Sequence, residues 1–152
     1  MKKLTILSAA FIIVSCGVRS PYDALKRDSR KAADFCLTLP SPLVYTFMDA
    51  ESRREMNDVI EGVSRYGLMI FEDQPESGRQ LFEKLNALPQ YDTYLWVKED
   101  GSVVTVKAFQ KNGKVKEVLL LIQDKENTII INAEGRNIKI GEQMAGTFLA
   151  AQ

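Results

Sequence analysis

The chain has 152 residues, of which 45% are hydrophobic, and it carries 20 basic and 20 acidic side chains. A chain of this length suits one domain with a real hydrophobic core. The balanced charge does not indicate a nucleic-acid partner, which usually needs a clustered basic surplus. There is no histidine. This excludes Ser-His-Asp and Cys-His catalytic arrangements and zinc sites that use histidine.

The first fifteen residues have the pattern of a signal peptide. Lys2 and Lys3 precede an apolar run over residues 4–14. A run of about 11 residues is too short to cross a hydrocarbon core, which needs roughly 20. We therefore predict that residues 1–15 are a cleaved signal peptide rather than a retained transmembrane anchor.

The end of this segment resembles the lipobox of bacterial lipoproteins, in which two small or aliphatic residues and a Gly, Ala or Ser precede an obligatory cysteine. The four residues here are Ile13, Val14, Ser15 and Cys16. The resemblance implies cleavage between Ser15 and Cys16 and acylation of Cys16. Two lipid signals give stable membrane anchoring where one gives marginal binding. The alternative is an ordinary secretory peptide, but it would end in an A-x-A type site.

The residues after the cysteine bear on the membrane to which the chain is sorted. Gly17 is not the aspartate associated with inner-membrane retention, and residues 18–21 lack the acidic cluster that resembles surface-export signals. We therefore expect the periplasmic face of the outer membrane, with the inner membrane and the cell surface as alternatives.

Removal of residues 1–15 leaves 137 residues with 18 basic and 20 acidic side chains. If Cys16 carries lipid, Cys36 is the one remaining cysteine, so no intrachain disulfide can form. We interpret Cys36 as a small buried apolar residue, with a free reactive or interchain thiol as the alternative.

Helical and strand patterns alternate in the first half of the chain. Residues 16–33 are either a tether or a weak helix that begins at Ser20-Pro21, a capping serine followed by proline. Ser41-Pro42 repeats this signal before a second helix. Residues 51–58 continue it as a second turn or a short helix, and Gly62 ends it. A third helix opens at residues 73–76 and stops at Pro89. The predicted strands in this half are Phe35–Leu39 and Val63–Phe71.

The second half reads as four consecutive strands and a final helix. Asp100-Gly101 and Asn112-Gly113 are strong signals for tight hairpins. The final helix, roughly Lys139 to Ala150, would direct Ile140, Met144, Phe148 and Leu149 towards a core. The predicted strands are Tyr91–Lys98, Ser102–Gln110, Lys114–Gln123 and Thr128–Ala133.

Together these elements predict an α+β fold for residues 34–152. The expected order is α-β-α-β-α-β-β-β-β-α, with a mainly antiparallel sheet of about five strands and helices packed on it.

Two-residue turns fix strand register and hence the face on which each side chain lies. The first turn pairs Val97 with Val104 and Leu95 with Val106. The second is expected to pair Val104 with Leu121 and Val106 with Leu119, which makes one continuous core face. The opposite face then collects Tyr94, Trp96, Val103, Thr105, Lys107, Phe109, Val118, Leu120, Ile122, Ile129 and Ile131.

This second face is nearly as apolar as the first, whereas a solvated sheet face alternates with polar residues. One interpretation is that the helices divide the two faces between them. The other is that the part around Tyr94, Trp96, Lys107 and Phe109 receives an apolar ligand or a partner. Lys107, between two aromatic residues, is either an amine of lowered pKa or a plain cross-strand contact.

Several segments resemble a Bacteroidetes lipoprotein family, domain of unknown function 4252. Besides the lipobox, the matching segments are Gly62–Phe71, Tyr91–Lys98, Lys114–Leu121 and Ile129–Gly135. The order of elements is similar from Val59 onward, so that the resemblance extends over about two thirds of the chain. The resemblance implies an α/β lipoprotein of the periplasm or outer membrane, and it brings no catalytic residues.

We therefore expect a non-enzymatic, membrane-tethered binding or accessory module of the cell envelope. Its expected partners are the lipid bilayer, through lipidated Cys16, and an envelope protein; we expect no nucleic acid, metal or cofactor. The alternative is a protein that binds a small molecule or lipid in a pocket between sheet and helices.

Overall fold

A computed structural model of the protein describes residues 20–142. This part of the chain contains four helices and six strands. In chain order they are α1 (Pro21–Ser29), β1 (Phe35–Pro40), α2 (Ser41–Thr46), α3 (Ala50–Val59), β2 (Ile60–Phe71), α4 (Pro75–Asn86), β3 (Tyr91–Glu99), β4 (Ser102–Lys111), β5 (Lys114–Gln123) and β6 (Thr128–Ile140).

The strands form one sheet in the order β1-β2-β6-β5-β4-β3, and every neighbouring pair is antiparallel. The two tight hairpins form where Asp-Gly and Asn-Gly predict them. Asp100, Gly101, Asn112 and Gly113 all have positive φ, as a type I′ turn requires. The chain leaves β2, which lies next to the β1 edge, and passes through α4 to β3 at the opposite edge of the sheet.

The α+β class and the antiparallel sheet are thus confirmed, but three details of the prediction are wrong. The sheet has six strands rather than about five. The second predicted helix is divided into α2 and α3: α2 ends at its C-cap Phe47, and Asp49 caps α3 by accepting from the Ser52 N–H. Lys139 and Ile140 belong to β6 rather than to a final helix. The remainder of that predicted helix, from residue 143, lies outside the described residues.

The register of the first hairpin is confirmed, whereas that of the second is wrong by one residue. Val97 faces Val104, and Leu95 faces Val106. The β4–β5 ladder has a bulge between Phe109 and Gln110 that leaves Lys116 unmatched, so every pair beyond it is shifted. The observed pairs are Val104–Ile122 and Val106–Leu120.

The bulge divides the side chains between the two faces differently from the prediction. The inner face, which α1 and α4 cover, holds the first core cluster: Tyr22, Met69, Phe71, Leu81, Phe82, Leu85, Tyr91, Leu119, Leu121 and Ile130. The outer face holds the second cluster: Val63, Val106, Ala108, Val118, Ala133 and Ile138. On the outer face, α3 packs where the Tyr66 hydroxyl donates to Met56 Sδ at 3.4 Å.

The N-terminal helix is part of this core. Ser20 caps α1 by accepting from the Asp23 N–H at 3.3 Å, and Pro21 begins the helix, as the capping pattern predicts. Tyr22 is fully buried in the first cluster. Burial of a side chain of this size stabilises the packing of α1 on the sheet by an amount on the order of 2 kcal/mol.

Candidate functional site

Glu117 is a carboxyl buried on the inner face of β5, with 1% of its surface exposed. The Ser20 hydroxyl donates to its Oε2 at 2.9 Å, and the Tyr91 hydroxyl donates to its Oε1. Burial raises the pKa of Glu117 to about 7, and the two hydrogen bonds only partly oppose this shift. Glu117 therefore changes its charge near neutral pH while holding two hydroxyl groups.

Two tyrosines complete the network around this carboxyl. The Tyr22 N–H donates to the Tyr91 hydroxyl oxygen at 3.2 Å, so α1, β3 and β5 are joined by one chain of hydrogen bonds. Burial, followed by the nearby charge of Glu117, raises the pKa of both phenols. The Tyr22 hydroxyl is buried and has no hydrogen-bond partner among residues 20–142.

A second set of polar contacts lies beside this network on β6 and reaches the surface. Glu134 pairs with Glu117 across the β5–β6 ladder. Its Oε1 accepts from Asn132 Nδ2 at 2.9 Å, and its Oε2 binds Arg65 Nη2 at 2.5 Å. Asn132 is 1% exposed and its Oδ1 occupies the space where a side chain on Gly67 would begin. A glycine at 67 is what allows Asn132 to lie flat against the sheet.

This network is closed to solvent at its centre. Ser20, Tyr22, Tyr91 and Glu117 are all buried, and α1 lies over them, so a substrate has no route to the carboxyl while α1 is in place. A general acid must come within hydrogen-bond reach of the group that it protonates. We therefore interpret the cluster, called here the Glu117 clasp, as the attachment of α1 to the sheet.

Sequence reasoning missed the clasp. One signal was available, because Glu117 is an acidic residue in an otherwise apolar strand segment, Val115 to Ile122, broken only by Lys116 beside it. Its partners could not be inferred, since Ser20 lies 97 positions away and Tyr91 lies 26 positions away.

The four aromatic and basic residues predicted as a binding surface do not form one surface. Lys107 and Phe109 are on the inner face under α4 and α1, and Phe109 packs against the first cluster. Trp96 lies on the same face at the β3 edge and is 56% exposed. Tyr94 is the bulged residue of β3 and packs against the outer-face cluster, where Gln110 Nε2 donates to its hydroxyl at 3.1 Å.

Lys107 is only 3% exposed, and its burial lowers its pKa. Its Nζ donates to the backbone oxygen of Asn86 at 2.6 Å. Asn86 is the last residue of α4, where the helix dipole favours a cation. The Lys107 amine therefore caps the C-terminus of α4. Phe109 contacts the Tyr91 ring rather than Lys107, with ring centroids 5.6 Å apart.

The outer face carries a continuous apolar row at the end of the sheet that lies far from α3. One residue from each strand contributes, and each pairs with the next across the ladders. All six are exposed or only partly buried. This open row consists of Phe35, Ile70, Ile129, Ile122, Val104 and Val97.

Other site types have little support in the described part of the chain. A cleft of about 350 Å³ lies between the start of α4 and the β5–β6 turn, but charged and amide side chains line most of it, including Glu76, Arg79, Asp124 and Glu126. Residues 20–142 contain no group of three or more carboxylate or cysteine ligands for a metal. No helix in this range is both long and apolar enough to span a bilayer.

The fold and its side chains define a small α+β domain built on one antiparallel sheet, with a buried acidic clasp and a partly open apolar face. Comparison with known protein families matches residues 38–145 with "Domain of unknown function (DUF4252)". This match covers more than two thirds of the chain, so the protein belongs to that family, as its sequence pattern predicts. No curated protein matches the chain, and no solved structure does.

Proposed function

We propose that the protein is a membrane-tethered, non-enzymatic binding module of the cell envelope, held at the periplasmic face of the outer membrane by lipid on Cys16. The lipobox pattern supports the tether. The observation that carries the binding role is the open row, an apolar band that crosses all six strands. We propose that it binds the apolar side of an amphipathic helix of an envelope protein.

The composition of the open row supports this role. An antiparallel sheet with one solvated face carries polar residues on that face, yet each of the six positions is Phe, Ile or Val. Phe35 is 47% exposed and Val97 is 37% exposed, one at each edge of the sheet. A contiguous exposed apolar band of this kind marks an interaction surface.

The dimensions of the row favour a helix as the partner. Six strands at about 4.8 Å spacing give a band roughly 24 Å long, which is the length of a helix of about 16 residues. The next row on this face is also apolar and is buried only at Val106; it consists of Leu37, Leu68, Ile131, Leu120, Val106 and Leu95. The two rows together are about as wide as a helix, whose diameter is about 10 Å.

The alternative function, binding of a lipid or small molecule between sheet and helices, has less support. Side chains from α1 and α4 fill the inner face, where Leu81, Leu85 and Tyr22 are 2% exposed or less. The cleft near α4 is lined mostly by charged and amide side chains, whereas ligand pockets are lined mostly by apolar and aromatic ones.

Site-specific photo-crosslinking in intact cells tests the proposed surface. A photoreactive residue at Val97, in the open row, is compared with one at Trp96, the adjacent position on the opposite face of β3. Trp96 is the more exposed of the two, so nonspecific capture would favour it. We expect an envelope-protein adduct when the photoreactive residue is at Val97 or at Phe35, and little adduct when it is at Trp96.

The sequence and the affinity of the captured peptide provide a second test. We expect it to have the spacing of an amphipathic helix, and a synthetic copy should bind the full chain and lose affinity when Val97 is changed to Lys. Adducts that form only at Trp96, or equally at 96 and 97, would reject the open row. Adducts at neither 97 nor 35 would reject it as well.

A further inference from the structure

The open row has an acidic border along the side that faces the β3–β4 and β5–β6 turns. Two positions further along a strand lies the next residue on the same face. Taken from β2 across to β3, these border residues alternate between acidic and uncharged. They are Glu72, Asn127, Asp124, Ser102 and Glu99.

The pairing of the strands places the acids on this border. Glu99, which pairs with Ser102, is the last residue of β3 and lies two positions beyond the open row. The Asp124 N–H donates to the backbone oxygen of Asn127 at 3.0 Å, so the β5–β6 pairing extends to this position. Glu72 directly follows the end of β2. All three acids are exposed, so a partner on the open row would meet their carboxylates.

Bases do not neutralise this border within residues 20–142. None of its three acids is in an ion pair there. Lys125 lies near the border, since its Cε is 3.5 Å from the position of a side-chain carbon on Gly101. Asp100 and Glu126, in the same two turns, are also exposed, and Lys98 lies on the inner face of β3. The border therefore carries a net negative charge.

The other long side of the apolar surface differs in charge. Behind the open row and the apolar row beside it, the next positions from β1 to β4 are all uncharged. They are Leu39, Tyr66, Ala133, Val118 and Ala108. Asp92 lies at the β3 edge of this side, where its Oδ2 accepts from Gln110 Nε2 at 3.3 Å. A partner therefore needs complementary charge along one side of its apolar stripe rather than along both.

The three acids of the border are regularly spaced across the sheet. In the strand order, β5 is two strands from β2, and β3 is two strands from β5, so neighbouring acids lie about 10 Å apart. Seven residues of a helix, close to two turns, rise about 10.5 Å and return to nearly the same side. A helix along the open row can therefore present one side chain to each acid at every seventh position.

We infer that the helix bound by the open row is basic along one side, with Lys or Arg at every seventh position facing Glu72, Asp124 and Glu99. This inference rests on the proposed open row and specifies the charge of its partner. Charges at the rim of an interface steer association and fix its register. Because the acids lie on one side only, a helix with bases on one side of its apolar stripe can bind in only one direction.

Two synthetic helical peptides of about 16 residues test this charge pattern. Both carry the same apolar stripe, and one has Lys at every seventh position along one side where the other has Gln. Binding to the native full chain in phosphatidylcholine nanodiscs is measured against empty nanodiscs. We expect the Lys peptide to bind about tenfold more tightly, and this preference to shrink as salt is added.

Three variants of the chain assign the preference to its surface. Glu99→Lys should remove most of the preference for the Lys peptide. Glu83→Lys adds the same charge on an exposed position of α4, away from the outer face, and should keep the preference. Val97→Asn changes the open row without adding charge and should weaken both peptides severalfold.

The outcomes separate the charge pattern from the open row itself. Equal affinity for the two peptides, with both weakened by Val97→Asn, would overturn the basic helix and leave the open row in place. A preference that survives Glu99→Lys would overturn the basic helix as well. Binding that Val97→Asn does not weaken, or no binding of either peptide, would reject the open row and this inference with it.

Discussion

At the scale of single residues, the charge state of Glu117 makes the stability of the domain depend on pH. In the folded protein its pKa is raised to about 7 from an ordinary value of 4.5, mainly by burial. Between these two values the folded state keeps a proton that the unfolded state releases. The stabilisation that Glu117 contributes is therefore fully present below pH 4.5. It is lost as the pH rises to 7, by a total on the order of 3 kcal/mol.

Glu117→Gln is expected to remove this dependence, because an amide does not titrate. The variant should be at least as stable as the wild type above pH 7, where the wild type buries a charge. Urea unfolding at intervals between pH 4 and 8 measures both slopes. Glu83→Gln, on the exposed side of α4, is the matched control and should keep the wild-type slope. A Glu117→Gln profile parallel to the wild type would contradict the buried titration.

The two clasp tyrosines should respond differently to loss of the hydroxyl group. Tyr91→Phe removes a donor to Glu117 and the acceptor for the Tyr22 N–H, which should cost about 1–3 kcal/mol. Tyr22→Phe removes a buried hydroxyl without a partner among the described residues and should be neutral or stabilising. Unfolding free energies at pH 5 compare the two. Equal losses would show that the hydroxyl of Tyr22 is satisfied in solution.

At the scale of elements, local signals predicted the hairpins, and long-range pairing decided the rest. Asp100-Gly101 and Asn112-Gly113 specify their turns within two residues, and both turns formed as expected. The bulge opposite Lys116 depends on how β5 meets β4 and β6 together, because β5 also shifts register against β6 near the same place. The sequence of β5 alone does not predict this bulge.

The bulged start of β2 gives a prediction at this scale. Gly62 has φ +83°, and a side-chain carbon there would lie 2.6 Å from the backbone oxygen of Asn137 in β6. Gly113 has φ +70° in an open turn with nothing near that position. Alanine at either site pays roughly 1–2 kcal/mol for the left-handed backbone, but only Gly62→Ala must also displace the β6 backbone.

We therefore expect Gly62→Ala to lower the free energy of unfolding at least twice as much as Gly113→Ala. Urea unfolding of both variants at one pH measures the difference. Losses of the same size would mean that the β2–β6 irregularity adjusts freely, and that the close approach of the two strands is not a constraint.

At the scale of the whole molecule, hydrophobic period and turns predicted the class and most strand positions, and the resemblance of several segments predicted the family. It could not predict the candidate site. A shift of one residue in register moves a strand's side chains to the opposite face, and this separated Trp96, Lys107 and Phe109 from Tyr94 and from the β5 residues expected beside them. The open row became visible only once six strands were aligned.

The tether is a whole-molecule prediction that the described residues leave to experiment. Cys16→Ser should abolish acylation and leave the signal segment uncleaved by the lipoprotein pathway, so that the variant keeps residues 1–15 and carries no lipid. Mass spectrometry of the native protein should find an acylated cysteine at the N-terminus. A native chain that begins upstream of Cys16, or that is soluble without lipid, would refute the anchor.

The attachment of Ser20 to the sheet also limits how far the domain can lie from a membrane to which Cys16 is anchored. Ser20 lies four positions after Cys16, and even a fully extended chain spans only about 14 Å over that distance. An acyl group on the cysteine would therefore keep the sheet within roughly its own width of the lipid headgroups. A target in the same leaflet would meet it at a high effective concentration, whereas one suspended in the middle of the periplasm would stay out of reach.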